Sequence, residues 1–311
     1  AAGAGCRRGG VRPVDVGVVR ETRNGERSMP ELPEVETVRR GLDRLVVGRR
    51  VKRVEVGRER TVRRTSRQAV IDGLTDATIV AANRHGKYLL LPLDTGDEVM
   101  IHLRMSGQVL VAAAGAARPA HTHVVVHLDP SGAAPEQELW FVDPRTFGEV
   151  VVFDPTNVDV ELPDVARLGV DAIDEDLTVR RLRLLLRARH RLLKPLLLDQ
   201  HVIAGIGNIY ADEILHEARL RPDRMSDELG PPAEGRLHKA IHRILGEAVA
   251  AGGSTLGDAQ YVDLFGEGGS YQDAHKVYGR AGARCLTCGV GWIRHTMSAQ
   301  RSTHFCPRCQ R

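Results

Sequence analysis

The stretch CLTCGVGWIRHTMSAQRSTHFCPRC, residues 285–309, determines how the C-terminal end of this 311-residue chain folds. It contains two Cys-x-x-Cys pairs, Cys285 with Cys288 and Cys306 with Cys309, separated by 17 residues. This spacing is typical of a tetrahedral four-cysteine zinc site, in which each pair forms a knuckle and a β-hairpin joins the knuckles. Four thiolates leave no coordination position for an activated water, so we predict one structural zinc ion per chain. A redox Cys-x-x-Cys motif is the alternative, and the second matched pair argues against it.

Size and composition indicate an intracellular protein of two domains. The chain is 42% hydrophobic, yet no stretch approaches the roughly 20 apolar residues of a membrane span, and its start lacks a secretory pattern. Four of the five cysteines form the two closely spaced pairs, which is metal-binding usage and not a disulfide framework. We therefore expect a soluble, cytoplasmic and monomeric protein without membrane association.

The positive charge is concentrated in local runs. Residues 1–28 carry six arginines against three acids, which accounts for most of the formal net charge of +4. Two further runs contain no acid: residues 180–194 hold six arginines and one lysine, and residues 274–311 hold six arginines and one lysine. Such runs neutralise phosphates, although one run alone is equally typical of a solvated helix face. Two runs beside a zinc site favour nucleic-acid binding.

The first 28 residues resemble no folded element, because they are rich in Gly and Arg and show no apolar period. Met29 follows them, and we expect residues 1–29 to be a spurious or processed leader, with translation starting at Met29. Intact-mass analysis of the native protein tests this hypothesis, since finding Ala1 attached would contradict it.

Hydrophobic periodicity predicts an α+β protein. A helix begins near Glu34, and several short strand-like runs follow it, as in a β-sandwich. The predicted strands are 51–56, 78–83, 87–93, 98–105, 123–128 and 138–142. The pattern becomes helical after a linker, over 177–193, 193–200, 209–220 and 234–252. We place the sandwich domain with its N-terminal helix at 30–155, the linker at 156–163, a helical domain at 164–262, and a loop with the zinc finger at 263–311.

A glycine-asparagine turn, GIGNIY at residues 205–210, lies between two of the predicted helices. Glycines leave backbone amides unshielded, and a helix N-terminus adds partial positive charge, so this turn is suited to a phosphate. Asn208 is predicted to be the helix cap and a direct hydrogen-bond donor. An ordinary helix junction explains the same residues equally well.

The segment Met29-Pro30-Glu31-Leu32-Pro33-Glu34 becomes chemically informative if Met29 is removed. Pro30 would then be a secondary amine, and because an α-amino group titrates near roughly pH 8 it would be partly nucleophilic at neutral pH. It can attack a sugar C1′ to form an iminium, with the Glu31 and Glu34 carboxyl groups close enough to supply a proton. A proline-rich lead-in to a helix is the simpler interpretation of this segment alone.

These motifs together resemble the formamidopyrimidine-DNA glycosylases from Met29 to Arg311. The matching segments are PELPEVETVRRGL at 30–42, HLRMSG at 102–107, DPRTFG at 143–148, GIGNIYADE at 205–213 and the four-cysteine ending. The resemblance implies an N-terminal β-sandwich domain and a helical helix-two-turn-helix domain with a β-hairpin zinc finger, with damaged double-stranded DNA bound in the cleft between them.

The resemblance also implies roles for individual residues. Pro30 is implied as the nucleophile, and Glu31 as the acid that assists opening of the deoxyribose. Lys87 and Arg301 complete the implied catalytic set, with Lys87 near the lesion and Arg301 holding a phosphate. The implied DNA-binding residues, of which Met105, Arg145 and Phe147 fill the space left by a flipped base, are His121, Arg145, Asn208, Lys194, Met105 and Phe147. Without the resemblance, Met105 is typical of core filling, Arg145 and Phe147 of a turn, and Lys87 of an exposed strand end.

The reaction implied by the resemblance is base excision followed by strand cleavage. Pro30 would expel 8-oxoguanine or a ring-opened formamidopyrimidine through a Schiff base, and β- and δ-elimination would follow. Segment 263–276 would supply lesion contacts as a flexible loop. Two alternatives remain: a non-catalytic zinc-finger DNA-binding protein, if the leader is retained, and the related endonuclease VIII branch, which acts on oxidised pyrimidines.

Overall fold

Two four-stranded antiparallel sheets form the N-terminal half of the protein. The computed structural model describes residues 29–132, 134–257 and 261–311, so the predicted leader up to residue 28 lies outside the described residues. One sheet has the strand order β1-β6-β7-β5 and the other β2-β3-β4-β8. The strands are β1 Val51–Val56, β2 Asn83–His85, β3 Tyr88–Pro92, β4 Glu98–His102, β5 Gln108–Ala113, β6 Thr122–Leu128, β7 Gln137–Val142 and β8 Glu149–Phe153.

Valine and leucine side chains from both sheets fill a shared core, which confirms the predicted sandwich. Strands β5 and β8 are absent from the predicted strands. Strand β8 is buried on both faces: Val150 and Val152 face the main core, whereas Val151 and Phe153 contact a second cluster. It therefore shows no alternation of polar and apolar residues. The predicted strand 78–83 is wrong over most of its length, because Thr78 and Ile79 make only isolated bridges to different neighbours.

Helices dominate the C-terminal half and also begin the sandwich domain. They are α1 Leu32–Leu45, α2 Arg67–Leu74, α3 Val158–Glu161, α4 Pro163–Ala166, α5 Val179–Arg187, α6 Leu193–Leu197, α7 Asn208–Glu217 and α8 Pro231–Ala250. Single 3-10 turns occur at Glu59–Val62, Pro155–Asn157, Ser226–Glu228 and Tyr271–Ala274. The predicted linker is therefore helical along most of its length.

The arginine-rich segment forms a shorter helix than periodicity predicted. Helix α5 starts at a Thr178 cap, whose hydroxyl oxygen accepts a hydrogen bond from the Arg181 amide at 3.1 Å, and it ends at Arg187. Arg183 and Arg187 both pair with the fully buried carboxylate of Glu234 on α8, at 2.6 and 3.0 Å. Part of this basic run thus stabilises helix packing and is not free for phosphates.

Four short strands complete the C-terminal half. Strand β9, Val170–Asp171, pairs in parallel with β10, Ile203–Ala204, and the hairpin of β11, Arg294–Ser298, and β12, Arg301–Phe305, lies between the two cysteine pairs. Within residues 29–132, 134–257 and 261–311, none of the helices has the length and apolar character needed to span a membrane. The predicted α+β class with a sandwich, a helical domain and a cysteine-bearing hairpin is confirmed.

Candidate active site and metal centre

The carboxyl group of Glu31 lies against the N-terminus of α7, where the two halves of the protein meet. The amides of Ile209 and Tyr210 donate hydrogen bonds to its two oxygens at 2.9 and 3.3 Å. A backbone hydrogen bond from the Leu32 amide to the Gly205 carbonyl, at 3.2 Å, also holds the start of α1 against this turn. Pro30, which is also buried, directly precedes this residue. The contact places the Pro30-Glu31 segment at the glycine-asparagine turn. Gly205, the first residue of that turn, lies 175 positions after Pro30 in the chain.

The glycines of this turn allow the close approach of Glu31. A Cβ added at Gly207 would overlap the Glu31 carboxyl group, and one added at Gly205, where φ is +106°, would overlap the Leu32 side chain. Gly207 is also the N-cap of α7, so the predicted cap, Asn208, is instead the first residue of the helix. The backbone amides that were predicted to face a phosphate bind a carboxyl group of the protein itself.

Burial holds Glu31 partly protonated at neutral pH. Loss of solvent raises the pKa of its carboxyl group to about 7, against the opposing effect of the Lys87 ammonium group and the two amide hydrogen bonds. The neighbouring Glu34 carboxylate also raises the pKa of Glu31, as burial does. A carboxyl group with a pKa near 7 exchanges a proton readily at physiological pH, as a general acid must.

Glu34 forms a second buried carboxyl group, which ties three segments together. Its oxygens accept hydrogen bonds from the Glu31 amide at 2.9 Å, the Tyr210 hydroxyl at 2.5 Å and the Ser254 amide at 2.6 Å. Burial raises its pKa, and these hydrogen bonds oppose the rise. The Ser254 hydroxyl in turn lies 3.1 Å from the His275 ring. The predicted lesion segment is therefore connected to the start of α1 through Glu34.

Lys87 lies inside the site and not at an exposed strand end. Burial lowers the pKa of its ammonium group, whereas the Glu31 and Glu34 carboxylates raise it and Arg301 lowers it. Lys87 lies in the turn that follows strand β2. Arg84 on that strand pairs with Glu36 at 3.0 Å and with Asp171 of the helical half at 2.5 Å, which holds the turn in place. Lys87 thus lies close enough to Glu31, Glu34 and Arg301 for their charges to shift the pKa of its ammonium group.

Two loops of the sandwich place Met105, Arg145 and Phe147 together. The buried carboxylate of Asp143 binds both loops: it accepts hydrogen bonds from the Ser106 hydroxyl at 2.5 Å and from the Arg145 amide at 3.1 Å. The Arg145 guanidinium group lies 4.9 Å from the centre of the Phe147 ring, and Phe147 is 37% exposed. Met105 is half-buried. Asp143 begins the DPRTFG motif, but the sequence alone indicated no role for its side chain.

His121 and Asn208 are two further predicted DNA contacts. His121 is exposed and has a φ of +65°, which a non-glycine residue seldom adopts, and its carbonyl accepts a hydrogen bond from the Asp143 amide at 3.0 Å. Among the described residues, the Asn208 side-chain oxygen and Arg145 Nη1 are buried without a hydrogen-bond partner. Buried polar atoms of this kind are uncommon unless a ligand or water binds them.

The four predicted cysteines converge on one point. Their sulfur atoms all lie within 4.8 Å of one another, with Cys285 and Cys309 3.7 Å apart and Cys288 and Cys306 3.9 Å apart. Four thiolates in this arrangement fit a tetrahedral soft metal ion, and zinc is the ion that structural sites of this composition bind. The cluster confirms the predicted metal-binding geometry.

The hairpin between the knuckles carries Arg301 at its tip. Arg301 is exposed and pairs with Ser298 across a two-residue turn, in which Ala299 and Gln300 have φ angles of +46° and +61°. Arg301 thus lies on the hairpin, as predicted, and its exposed side chain is placed to extend away from the zinc site.

Lys194 lies behind this hairpin, not on the surface. Its fully buried ammonium group pairs with Asp212 at 2.6 Å, and it donates hydrogen bonds to the Ser302 carbonyl at 2.7 Å and to the Thr303 hydroxyl at 3.0 Å. Asp212 also accepts a hydrogen bond from the His304 amide at 2.7 Å. This placement argues against the predicted direct contact with DNA, because the ammonium group is enclosed. Lys194 instead fastens the hairpin to α6 and α7.

Replacing Lys194 with methionine is expected to lower the free energy of unfolding by about 3–5 kcal/mol, because it leaves the Asp212 carboxylate buried and unpaired. Adding Asp212→Asn should recover much of the loss. Chemical unfolding of the zinc-loaded variants measures both effects. The matched control is Lys239→Met on exposed α8 surface, which should change the free energy by less than about 0.5 kcal/mol. Equal stability of the Lys194 and Lys239 variants would contradict the assignment.

Known protein families match both halves of the chain. A family model described as the formamidopyrimidine-DNA glycosylase N-terminal domain matches residues 29–150, and one described as the H2TH domain of the same glycosylase matches residues 168–260. Proteins named formamidopyrimidine-DNA glycosylase are 43% identical in Salinispora arenicola and 41% identical in Pelotomaculum thermopropionicum. The alignments cover 91% of this chain in both cases, and 96% and 99% of the two relatives.

Solved structures show the same arrangement of domains. The MutM (Fpg) protein from Thermus thermophilus is 38% identical, with a TM-score of 0.79 over 90% of this chain and 98% of that protein. The Lactococcus lactis Fpg, determined in complex with DNA containing an abasic site, is 34% identical, with a TM-score of 0.80 over 91% of this chain and 100% of that protein.

Proposed function

The chain belongs to the formamidopyrimidine-DNA glycosylase family, and from this premise we propose that it excises oxidised purines from duplex DNA and then cleaves the strand at the abasic site. The proposed substrates are 8-oxoguanine and ring-opened formamidopyrimidines. One observation carries the proposal: Glu31, with a pKa of about 7, lies beside Pro30 and between Lys87 and the N-terminus of α7. A proton donor thus lies next to a potential amine nucleophile and within the electrostatic influence of a cation.

The proposed nucleophile is the nitrogen of Pro30. Its lone pair attacks C1′ of the damaged nucleotide, and the bond from C1′ to the base breaks as the base leaves with a proton. An amide nitrogen has no available lone pair, so the chemistry requires that the mature enzyme begins at Pro30, with Met29 and the residues before it absent. The adduct then loses the bond between C1′ and the ring oxygen, which gives an iminium between Pro30 and the opened sugar.

Glu31 is the proposed proton donor for ring opening. In its protonated form it delivers the proton to the deoxyribose ring oxygen, and its two amide partners on α7 then stabilise the carboxylate. The iminium acidifies C2′, so that loss of that proton expels the 3′ phosphate by β-elimination. A δ-elimination then expels the 5′ phosphate. The proposed product is a one-nucleotide gap with phosphate ends.

The remaining predicted residues are proposed to hold the DNA. Asn208 and Arg301 are proposed to bind phosphates on either side of the lesion, Asn208 through its side-chain N–H groups and Arg301 through its exposed guanidinium group. Met105, Arg145 and Phe147 are proposed to fill the gap left by the flipped base, with an exposed aromatic ring and a guanidinium group on loops fixed by buried Asp143. His121 is exposed on the adjoining loop and is proposed to contact the backbone.

The lesion itself is proposed to be contacted by segment 263–276. Residues 258–260 lie outside the described part of the chain. Beyond them, Leu264 is buried in the sandwich core, and its carbonyl accepts a hydrogen bond from the Val111 amide at 3.0 Å. Ser254 joins this segment to Glu34, because its amide donates a hydrogen bond to Glu34 and its hydroxyl lies 3.1 Å from the His275 ring. A loop that is connected to both the sandwich and the acid site is suited to closing over a flipped base.

Zinc is the proposed metal, with a structural role. Complete removal of the ion by a chelator is expected to abolish binding to abasic-site DNA, because the unfolded hairpin no longer positions Arg301. Fluorescence anisotropy with a labelled duplex measures the loss, and metal analysis of the same sample verifies that the ion is gone. Undiminished affinity of the metal-free protein would contradict this prediction, whereas recovery on adding zinc supports it.

Comparison of two lesions tests the proposed specificity. Protein that begins at Pro30 should excise 8-oxoguanine opposite cytosine faster than thymine glycol, and the reverse preference would favour the endonuclease VIII branch.

A cytoplasmic enzyme associated with DNA is the proposed cellular form. A monomer is proposed because both halves of the site lie within one chain.

A further inference from the structure

A strongly basic concavity lies where the zinc knuckles meet the end of α7. We call it the arginine pocket, and its volume is about 530 Å³. Thr287, Cys288 and Cys309 contribute to its wall. Its charged lining consists of Arg219, Arg224, Arg236, Arg308 and Arg311.

The charge of the arginine pocket is not neutralised by the described part of the chain. No Asp or Glu carboxylate there lies within ion-pair distance of its five guanidinium groups, and Arg224 Nη1 lies 3.5 Å from the backbone oxygen of Arg311. The neighbouring acids are already paired. Asp223 binds Arg221 at 2.6 Å, and Glu217 binds Arg243 at 2.6 Å and Lys276 at 3.1 Å. Arg219 and Arg308 are exposed. Several like charges in one concavity repel one another, and a bound anion relieves that repulsion.

The arginine pocket is separated from the proposed DNA contacts along two independent elements. Asn208 begins α7, a helix of 10 residues, and Arg219 follows its other end, roughly 15 Å away at 1.5 Å per residue. Arg301 begins β12, a strand of 5 residues, and Cys306 and Arg308 follow its other end, roughly 17 Å away. The pocket therefore lies away from the two residues that are proposed to bind the phosphates beside the lesion.

We propose that the arginine pocket binds an acidic peptide segment of a partner protein, one that also carries apolar side chains. Guanidinium groups bind carboxylates through paired hydrogen bonds, and several of them around one concavity match a run of aspartates or glutamates. The zinc knuckle that forms part of the wall also carries three exposed apolar side chains: Leu286, Val290 and Trp292 are 68%, 53% and 54% exposed. A basic concavity formed in part by a knuckle that also exposes apolar side chains fits a segment of mixed acidic and apolar composition.

Other polyanions fit this surface less well. A volume of about 530 Å³ is that of a small-ligand site, and it does not admit a DNA duplex. Among the described residues that line the pocket, none has an aromatic ring on which a nucleotide base could stack. An inorganic polyphosphate would satisfy the arginines but would leave the apolar side chains of the knuckle unused.

Binding of a fluorescein-labelled peptide of alternating aspartate and leucine to the zinc-loaded protein tests the proposal. The pocket variant carries Arg236→Gln and Arg308→Gln, and the matched control loses the same charge elsewhere through Arg44→Gln and Arg58→Gln, both on exposed surface. Anisotropy should show affinity at least about tenfold weaker for the pocket variant than for the control. Saturation with abasic-site DNA should leave peptide binding in place.

Three results would overturn the proposal. The first is equal affinity of the pocket and control variants for the peptide. The second is displacement of the peptide by abasic-site DNA. The third is that a peptide with glycine in place of leucine, and tripolyphosphate, both bind as tightly as the original peptide. The last result would assign the pocket to a phosphate ligand. Excision of 8-oxoguanine by the same variants is measured separately, so that failure of the proposed enzyme activity and failure of the peptide proposal are distinguishable.

Discussion

Replacing Glu31 with glutamine is expected to reduce excision of 8-oxoguanine by about 10²–10⁴-fold, the usual contribution of a general acid. Glutamine keeps an oxygen for the Ile209 amide and loses only the longer hydrogen bond from Tyr210, but it has no acidic proton to deliver to the sugar. Strand cleavage at a preformed abasic site should persist, because that sugar already opens to an aldehyde without the enzyme. Single-turnover assays on the two substrates measure the separate steps.

The pH dependence of excision has the same cause. Because the pKa of Glu31 is raised to about 7, the protonated fraction falls as pH increases through 7, and excision should decline on that alkaline side. The amine nucleophile acts in the opposite direction, because it loses its proton only as pH approaches roughly 8. A bell-shaped profile is expected, and the alkaline limb should disappear in Glu31→Gln. Equal loss of both activities in this variant would contradict the assignment of Glu31.

Replacing Gly207 with alanine is expected to reduce excision about as strongly as the loss of the Glu31 carboxyl group. The added Cβ would overlap that group, so Glu31 must move away from the Ile209 and Tyr210 amides. The backbone of Gly207, with φ of −121°, accommodates alanine, so the effect comes from the contact and not from backbone strain. Excision assays on folded, zinc-loaded protein measure it.

The matched control for this variant is Gly235→Ala within α8. An added Cβ at Gly235 meets no atom within 4 Å, and alanine favours a helix interior, so stability should be unchanged or slightly higher. Unchanged excision by Gly207→Ala, with normal zinc content, would show that the close approach of Glu31 is not required.

Local patterns predicted the parts of this protein that depend on neighbouring residues in sequence. The four cysteines were predicted to meet because the short spacing within each pair and a hairpin between them suffice. Helix α7 and most sandwich strands followed from apolar periodicity and turn residues. Strand β8 was not predicted because burial on both of its faces removes the alternation.

The remaining features depend on contacts between residues far apart in sequence. Lys194 ends a basic run and was predicted to bind DNA, yet its ammonium group is enclosed by Asp212 and by the hairpin more than 100 positions away. Likewise, Gly207 is next to a helix in sequence, and only its contact with Glu31 explains the need for glycine. Burial and partner choice at such positions arise from tertiary packing, which periodicity does not encode.

Borohydride trapping on duplex DNA containing 8-oxoguanine tests the central claim most directly, because reduction converts a Schiff base into a permanent bond between protein and DNA. Protein that begins at Pro30 should give a covalent adduct, and mass spectrometry of its peptides should locate the bond at Pro30. The same protein with Met29 retained should give none. No adduct with the protein that begins at Pro30, or equal adduct with Met29 in place, would contradict the assignment of the Pro30 amine as nucleophile.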